Sequence, residues 1–289
     1  MKLAALGDIH GNYTALEVCL SWAEDNGVTH LAFLGDYITD CPHPRRVMKL
    51  LYEASDRFET VFIRGNREEY IIGLAQAQAP LPAFYGSRYG NIFAAYEQLT
   101  PEDIAFLEAM PISTACAFAD LPPLRLCHGA PHNTRTVVRP GYPAMAETLS
   151  VLAEPYLLCA HSHLAFVYRD AETGKTVVNG GSVGHPCRDI TTNAEFAVLD
   201  GTHGIWQPEL ISLPYDIAAA VRDFEDGDFL QKANVWARAV RATLLTGHNM
   251  TAEALRTVAA LKAARGLPEE MSAADEEPLW EQAAEQLQI

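Results

Sequence analysis

Met1-Lys2-Leu3-Ala4-Ala5-Leu6-Gly7-Asp8-Ile9-His10-Gly11-Asn12 is the stretch on which the fold turns. Residues 2–6 form a short apolar run of strand length, closed by Gly7. A carboxylate and an imidazole follow at once. Residues 13–26 then place Leu16, Cys19, Leu20 and Ala23 at helical spacing, with Gly27 positioned to cap the C-terminus. The unit is strand, polar loop, helix.

The same unit recurs downstream. Residues 29–34 read as a strand, 44–55 as a helix, 60–63 as a strand and 68–76 as a helix. A βαβαβ order predicts a parallel sheet with its functional loops at the strands' C-terminal ends. Thr100, followed by Pro101, Glu102 and Asp103, is an N-cap with acidic residues in the first turn, so 101–109 should be helical. Beyond residue 112 the strands crowd together, at 114–118, 124–127, 156–159, 165–169, 176–178, 194–199 and 205–211, with one helix at 144–152 among them. Gly174-Lys175 and Asp200-Gly201 look like hairpin turns, so this half should form a more antiparallel sheet packed against the first. From Pro214 onward strand signals vanish, and amphipathic helices are expected near 215–225, 229–245, 252–264 and 278–287. The expected fold class is α/β: a two-sheet α/β/β/α sandwich over 1–213, followed by an all-helical C-terminal extension over 214–289.

With 289 residues, 49% of them hydrophobic and 20% charged, the chain is long enough for one such core plus an appendage. Its 37 acidic against 21 basic side chains give a formal charge of −16, a field that repels a phosphate backbone, so a nucleic-acid polymer is not an expected partner. Every apolar stretch is shorter than a membrane span requires. The opening run is also too brief for a signal-peptide core, so no membrane partner and a cytoplasmic location are expected. Cys19, Cys41, Cys116, Cys127, Cys159 and Cys187 show no CxxC spacing and are read as reduced, mostly buried thiols.

Five strand-end loops carry metal-ligand residue types: Gly7-Asp8-Ile9-His10-Gly11-Asn12, Gly35-Asp36-Tyr37, Gly65-Asn66-Arg67-Glu68, Cys127-His128-Gly129 and Ala160-His161-Ser162-His163. Any one alone has an ordinary reading, since a Gly-Asp pair after a strand makes a turn and a lone histidine is usually a hydrogen-bonded or surface residue. Together they do not, because each follows an apolar strand and all five should fall at one sheet edge. In an extended segment alternate residues point to one side, so Asp8 and His10 should reach a common ion, and His161 and His163 repeat that same-side geometry. Two carboxylates, one amide oxygen and four imidazoles, with no thiolate, suit manganese, iron, zinc, cobalt or nickel better than calcium or copper(I). Seven protein ligands exceed the needs of one ion. Two ions sharing a carboxylate is the economical arrangement, with Asp36 as the bridge.

Taken in order, Asp8-x-His10, Gly35-Asp36, Gly65-Asn66, His128 and His161-x-His163 resemble the motif series of the calcineurin-like metallophosphoesterase superfamily. Asn179-Gly180-Gly181-Ser182-Val183-Gly184 is similar to a loop in its small bacterial phosphodiesterases. The resemblance implies one divalent ion, manganese foremost, on Asp8, His10, Asp36 and His163, and a second on Asp36, Asn66, His128 and His161. It further implies a dinuclear metal-dependent phosphoesterase, either a phosphodiesterase or a phosphomonoesterase. Water held between the ions would attack phosphorus in a small phosphoester or nucleotide. Asn66, Arg67 and His128 are then the catalytic set, with Asn12 and Arg67 steadying the phosphoryl oxygens.

The chain departs from the family pattern in three places. Arg67 stands where many members carry the histidine assigned to protonating the leaving group; an arginine binds phosphate but donates protons poorly. A bias toward good leaving groups is therefore expected, or a donor recruited elsewhere, such as His132 or His185. Ala160 replaces a common glycine, and Cys187 separates Pro186 from Arg188, which weakens Arg188 as a phosphate contact.

Two competing readings stand beside the phosphoesterase. Ser182 formally sits in a Gly-x-Ser-x-Gly elbow of a serine hydrolase, but the helix such an elbow needs does not follow. A phosphoesterase fold kept as a binding scaffold is opposed by the presence of every expected ligand. Phe84, Tyr85 and Tyr89 read as an aromatic insertion able either to overhang the pocket or to serve as ordinary packing, Arg88 in the same stretch as a candidate phosphate contact, and Asp275-Glu276-Glu277 as a solvated helix start. The apolar faces carrying Phe229, Val235, Trp236, Val240 and Leu244 suit packing on the parent domain or a homodimer contact.

Overall fold

Strand β1 (Lys2–Leu6) divides its side chains between two apolar layers, Ala4 and Leu6 on one side and Leu3 and Ala5 on the other, and this double burial sets the layer order. The structure, a computed structural model, describes residues 1–187 and 191–289. β1 pairs in parallel with β2 (His30–Phe33), and β2 with β3 (Glu59–Phe62). The second sheet contains β4 (Ser113–Phe118), β5 (Leu121–Cys127), β6 (Tyr156–Cys159), β7 (Phe166–Arg169) and β8 (Thr176–Asn179), in the spatial order β4-β5-β6-β8-β7. Between the sheets, Leu3, Ala5, Ala32 and Leu34 share a cluster with Leu124, Leu126, Leu158 and Val178. Helices α1 (Tyr13–Asp25), α2 (Pro44–Arg57) and α3 (Asn66–Ala77) cover the outer face of the first sheet through Leu16, Leu51 and Ile71. Across the molecule, α6 (Pro143–Val151) covers the second through Met145 and Leu149. The expected α/β/β/α sandwich is present.

Two expectations about the second half are corrected. β9 (Ala194–Asp200) and β10 (Gln207–Leu213) return to the first sheet, which runs β10-β9-β1-β2-β3. Six of the seven β9 residues are buried, so its pattern carries no information about which sheet it joins. The second sheet is mixed: β5, β6 and β8 are mutually parallel, and antiparallel β4 and β7 form its edges. The C-terminal ends of β1, β2, β3, β5, β6 and β8 can therefore meet at one end of the sandwich.

The stretch expected to overhang the pocket is instead a helix, α4 (Gly86–Tyr96). Arg88 is engaged with Glu276 at 2.9 Å rather than free for a phosphate, and Phe84 and Tyr89 are exposed. α5 (Pro101–Ala109) follows with the expected Thr100 cap, whose hydroxyl accepts from Asp103 N–H. α4 seats in a break in α8 (Phe229–Thr246), where Asn234 adopts φ 39° and ψ −116°. Ser87 Oγ accepts from the Val235 N–H at 3.1 Å and donates to Glu277 at 2.6 Å. Gly90 lies flat against the Lys232 carbonyl, where a Cβ would collide with that oxygen and with Ala233.

α7 (Ile217–Arg222), α9 (Met250–Ala264) and α10 (Ala273–Leu287) complete the C-terminal helices. Phe229, Val235, Trp236, Val240 and Leu244 are all buried within the chain, which removes them from any dimer contact. Glu276 is likewise no solvated residue: it is buried, ion-paired to Lys262 and Arg88, and accepts from Trp280 Nε1–H at 3.0 Å. Its neighbours compensate a charge that burial alone would penalise. Among the described residues no helix is long and apolar enough to cross a membrane. The six cysteines are unbridged, four of them buried.

Gly90→Ala should lower unfolding stability by about 1–3 kcal/mol through overpacking, read as a shift of the urea midpoint. An unchanged midpoint would contradict the backbone-to-backbone seat of α4 on α8.

Candidate metal centre

Beyond the strand ends, loop backbones continue the pairing and draw the five motifs together. Asp8 N–H donates to Gly35 O, His10 N–H to Asp36 O and Ala160 N–H to His128 O, at 2.8–3.0 Å. The buried Glu68 carboxylate ties the second motif to the third. It accepts from the N–H groups of Asp36, Tyr37 and Gly65 at 2.8–2.9 Å. Burial, then the charge of Asp36, pushes its carboxyl up to about 7 against the pull of those amides. Glu68 went unassigned in the sequence, yet a signal existed: it is the N3 residue of α3 and reaches back to the Gly65 N–H, as in a capping box.

The extended geometry expected of the paired motifs is not what brings their side chains together. Asp8, His10, Asp36, His161 and His163 have φ of 54°, 51°, 54°, 65° and 51°. All five are left-handed, so each pair repeats one unusual conformation two residues apart, and every one of these side chains reaches a donor cluster. Such residues cost of order 1–3 kcal/mol each and persist where the surroundings over-determine them.

All seven candidate ligands converge. His10 Nε2 lies 3.2 Å from His163 Nε2 and 3.8 Å from Asp8 Oδ1, which is itself 3.4 Å from His163 Nε2. His128 Nε2 lies 3.2 Å from Asn66 Oδ1 and 3.4 Å from Asp36 Oδ2. Asp36 Oδ2 also stands 3.9 Å from His10 Nε2, so this carboxylate spans the two groups. Asp8 with His10 and His163, and Asp36 with His128 and His161, each place one donor atom per residue within a 4.8 Å cluster.

These clusters fit divalent ions on hydrogen-bond chemistry alone. His163 Nδ1–H donates to His185 O at 2.7 Å, His128 Nδ1–H to Leu34 O at 2.7 Å, and His10 Nδ1 faces Asp40 Oδ2 at 2.6 Å. With each Nδ1 occupied, the Nε2 atoms aim lone pairs at one another or at carboxyl and amide oxygens. Asp8 Oδ1, fully buried, has no hydrogen-bond partner. His161 differs: its Nε2–H donates to Arg135 O at 3.1 Å, leaving Nδ1 to ligate. In the ion-free chain protons take the cations' place. Burial opposes charge, but Asp40 and Asp8 hold the His10 imidazolium up to about 10, and Asp36 and Asp8 hold His128 up to about 9. Burial, then the His128 charge, pushes His161 down to about 4.

Arg67 enters the adjoining cavity with its guanidinium 3.3 Å from Asp40 and over the Trp236 ring at 5.7 Å. Asp40 is the residue sequence reasoning missed altogether. Wholly buried, it contacts His10 and Arg67 and accepts from Asn91 Nδ2 at 2.5 Å and Trp236 Nε1–H at 2.7 Å. Asn12, expected to touch substrate, is not brought to the cavity: its Oδ1 caps α1 and its Nδ2 is shared between Gly184 O and Tyr215 Oη. Ser182 donates to Asp8 O and accepts from His185 N–H, a loop tie rather than a nucleophile. His185 lines the cavity, whereas His132 is exposed and outside it. Arg188 lies outside the described residues.

Residues 1–165 match the family model described as calcineurin-like phosphoesterase. The chain belongs to this family. An uncharacterised protein of Methanocaldococcus jannaschii is 22% identical over 244 residues, covering 75% of this chain and 89% of that protein. Among solved structures, a hypothetical protein of Pyrococcus horikoshii OT3 superposes with a TM-score of 0.70 at 20% identity, covering 85% of this chain and 98% of its own. A metallophosphoesterase of Sphaerobacter thermophilus gives 0.66 at 20% identity, covering 86% and 99%. These structures share the fold. Family membership implies divalent ions, and the two donor clusters are where this chain would hold them.

Metal uptake must displace the protons on His10 and His128, so manganese binding near pH 7 should release about two protons per chain. Affinity should rise as pH climbs toward the values of about 9 and 10 at which those imidazoles lose them. Titration calorimetry in buffers of different ionisation enthalpy measures this directly; binding without proton release would contradict the assignment.

Proposed function

We propose that the chain is a dinuclear metal-dependent phosphoesterase acting on a small phosphoester or nucleotide. The observation that carries this reading is the pair of donor clusters spanned by Asp36, opening on a cavity that also holds Arg67. In it Asp8, His10, Asp36 and His163 hold one ion, and Asp36, Asn66, His128 and His161 the other. When bound, the ions supply Lewis acidity and a water of lowered pKa.

The remaining work falls to the chain itself. Arg67 binds a phosphoryl oxygen, its guanidinium kept over the cavity by Asp40 and Trp236. Asn66 and His128 hold their oxygen and nitrogen atoms at fixed positions, His128 through its bond to Leu34 O. Of the cavity's basic side chains, Arg67 stays charged, His161 is taken up as a ligand in this reading, and burial drives His185 well below the ordinary histidine range, so a ready proton donor is missing among them. The reaction should therefore depend steeply on the leaving group. Manganese, iron, zinc, nickel and cobalt all suit the donor set, and availability decides among them.

The test is hydrolysis of p-nitrophenyl phosphate beside bis-p-nitrophenyl phosphate by chelator-stripped protein reloaded with manganese. Activity should return with the metal and fall about a hundredfold or more in His128→Ala, the order seen when a charge-stabilising group is removed. The ratio of the two rates separates monoesterase from diesterase. Inactivity toward both esters with the metal bound would favour the scaffold reading.

Across a series of aryl phosphates the rate should fall sharply as leaving-group pKa rises. A flat series would show that a proton donor operates after all.

A further inference from the structure

We propose that α9 is the specificity wall of this site, with Leu255 and Ala252 receiving the organic group of a compact aryl phosphoester; the proposal rests on the phosphoesterase reading. One cavity of about 250 Å³ is lined by Arg67, His161 and His163 together with Trp236, Ala252 and Leu255. The phosphoryl end of a substrate belongs with the cations and Arg67. What remains of it meets the helical extension.

Ala252 and Leu255 are three residues apart on α9 and share one face, while Ala254 and Val258 bury another face in the C-terminal core. Leu255 is 44% exposed, whereas Ala254 and Val258 on the same helix are buried. A lone exposed leucine is ordinary on a surface, but this one, with Trp236 and Ala252, makes the apolar part of a cavity whose remaining lining is mostly polar. Trp236 offers little surface of its own, since its N–H is spent on Asp40 and its ring lies beside Arg67. It gives the wall rigidity and leaves the contact to Leu255.

The same wall disfavours a second anion. At the start of α9, Asn249 Oδ1 already accepts from Ala252 N–H and Thr251 Oγ1–H, and Met250 N–H donates to Thr243 Oγ1. At about 250 Å³ the open cavity falls below the roughly 300–1,000 Å³ usual for ligand sites, which suits a compact group of about one ring.

Calorimetry on the manganese-loaded 289-residue chain with inorganic phosphate, methylphosphonate and phenylphosphonate tests this. The native chain should bind phenylphosphonate about fivefold or more tightly than methylphosphonate, the effect of burying part of one apolar side chain. Leu255→Asn should bring that ratio near one with phosphate affinity unchanged, and Leu255→Met should keep the preference. An unaltered ratio in Leu255→Asn, or no preference in the native chain, would overturn the wall while leaving the phosphoesterase reading intact. Failure of all three ligands to bind the loaded chain would instead remove that reading, and the wall with it.

Discussion

His10 Nε2 and His163 Nε2 face each other at 3.2 Å, and because each ring's other nitrogen is already engaged, a positive charge has to lie between them. The same demand recurs where His128 Nε2 meets Asn66 Oδ1 and Asp36 Oδ2. Such an arrangement opposes folding unless cations compensate it, since buried acceptors without donors are costly. Protons meet the demand in the ion-free chain. In the proposed reading divalent ions would take the protons' place, as family membership implies.

The sandwich exists to hold this unfavourable cluster still. Five of the ligand-type residues are left-handed, each at a cost, and they are locked by pairings that outrun the strands and by the three amide donors converging on Glu68. Apolar strands buried on both faces supply the rigidity: β1 contributes to both the inter-sheet core and the helical layer. The C-terminal helices belong to the same construction. Trp236 donates to Asp40, Asp40 orients His10 and Arg67, and α4 locks α8 in place through Ser87 and Gly90. Outer-shell partners of this kind set the tautomer and aim of a ligand imidazole.

Much of this was legible in the residues. The seven ligand types stand where apolar runs stop, and a run such as 156–159 followed by Ala160-His161-Ser162-His163 announces both strand and site. The left-handed conformations were not legible, because nothing in the spacing Asp8-x-His10 or His161-x-His163 separates them from an extended pair. Sheet membership of β9 was hidden by its nearly complete burial. α4 was obscured by Gly86, Gly90 and clustered aromatics, whose reason is contact with α8 rather than local propensity. Asp40 had no local signal at all, since its partners Asn91 and Trp236 lie 51 and 196 residues away. Likewise Glu276 reads as surface charge until Lys262 and Arg88 fold against it.

The central claim is that Asp36 spans two cation sites, and the most direct measurement is the count of manganese ions per chain in stripped and reloaded protein, with their positions from anomalous diffraction. The account predicts two ions, one beside His10 and His163 and one beside His128 and His161, with both weakened in Asp36→Asn. A single ion, or two ions indifferent to Asp36→Asn, would contradict it.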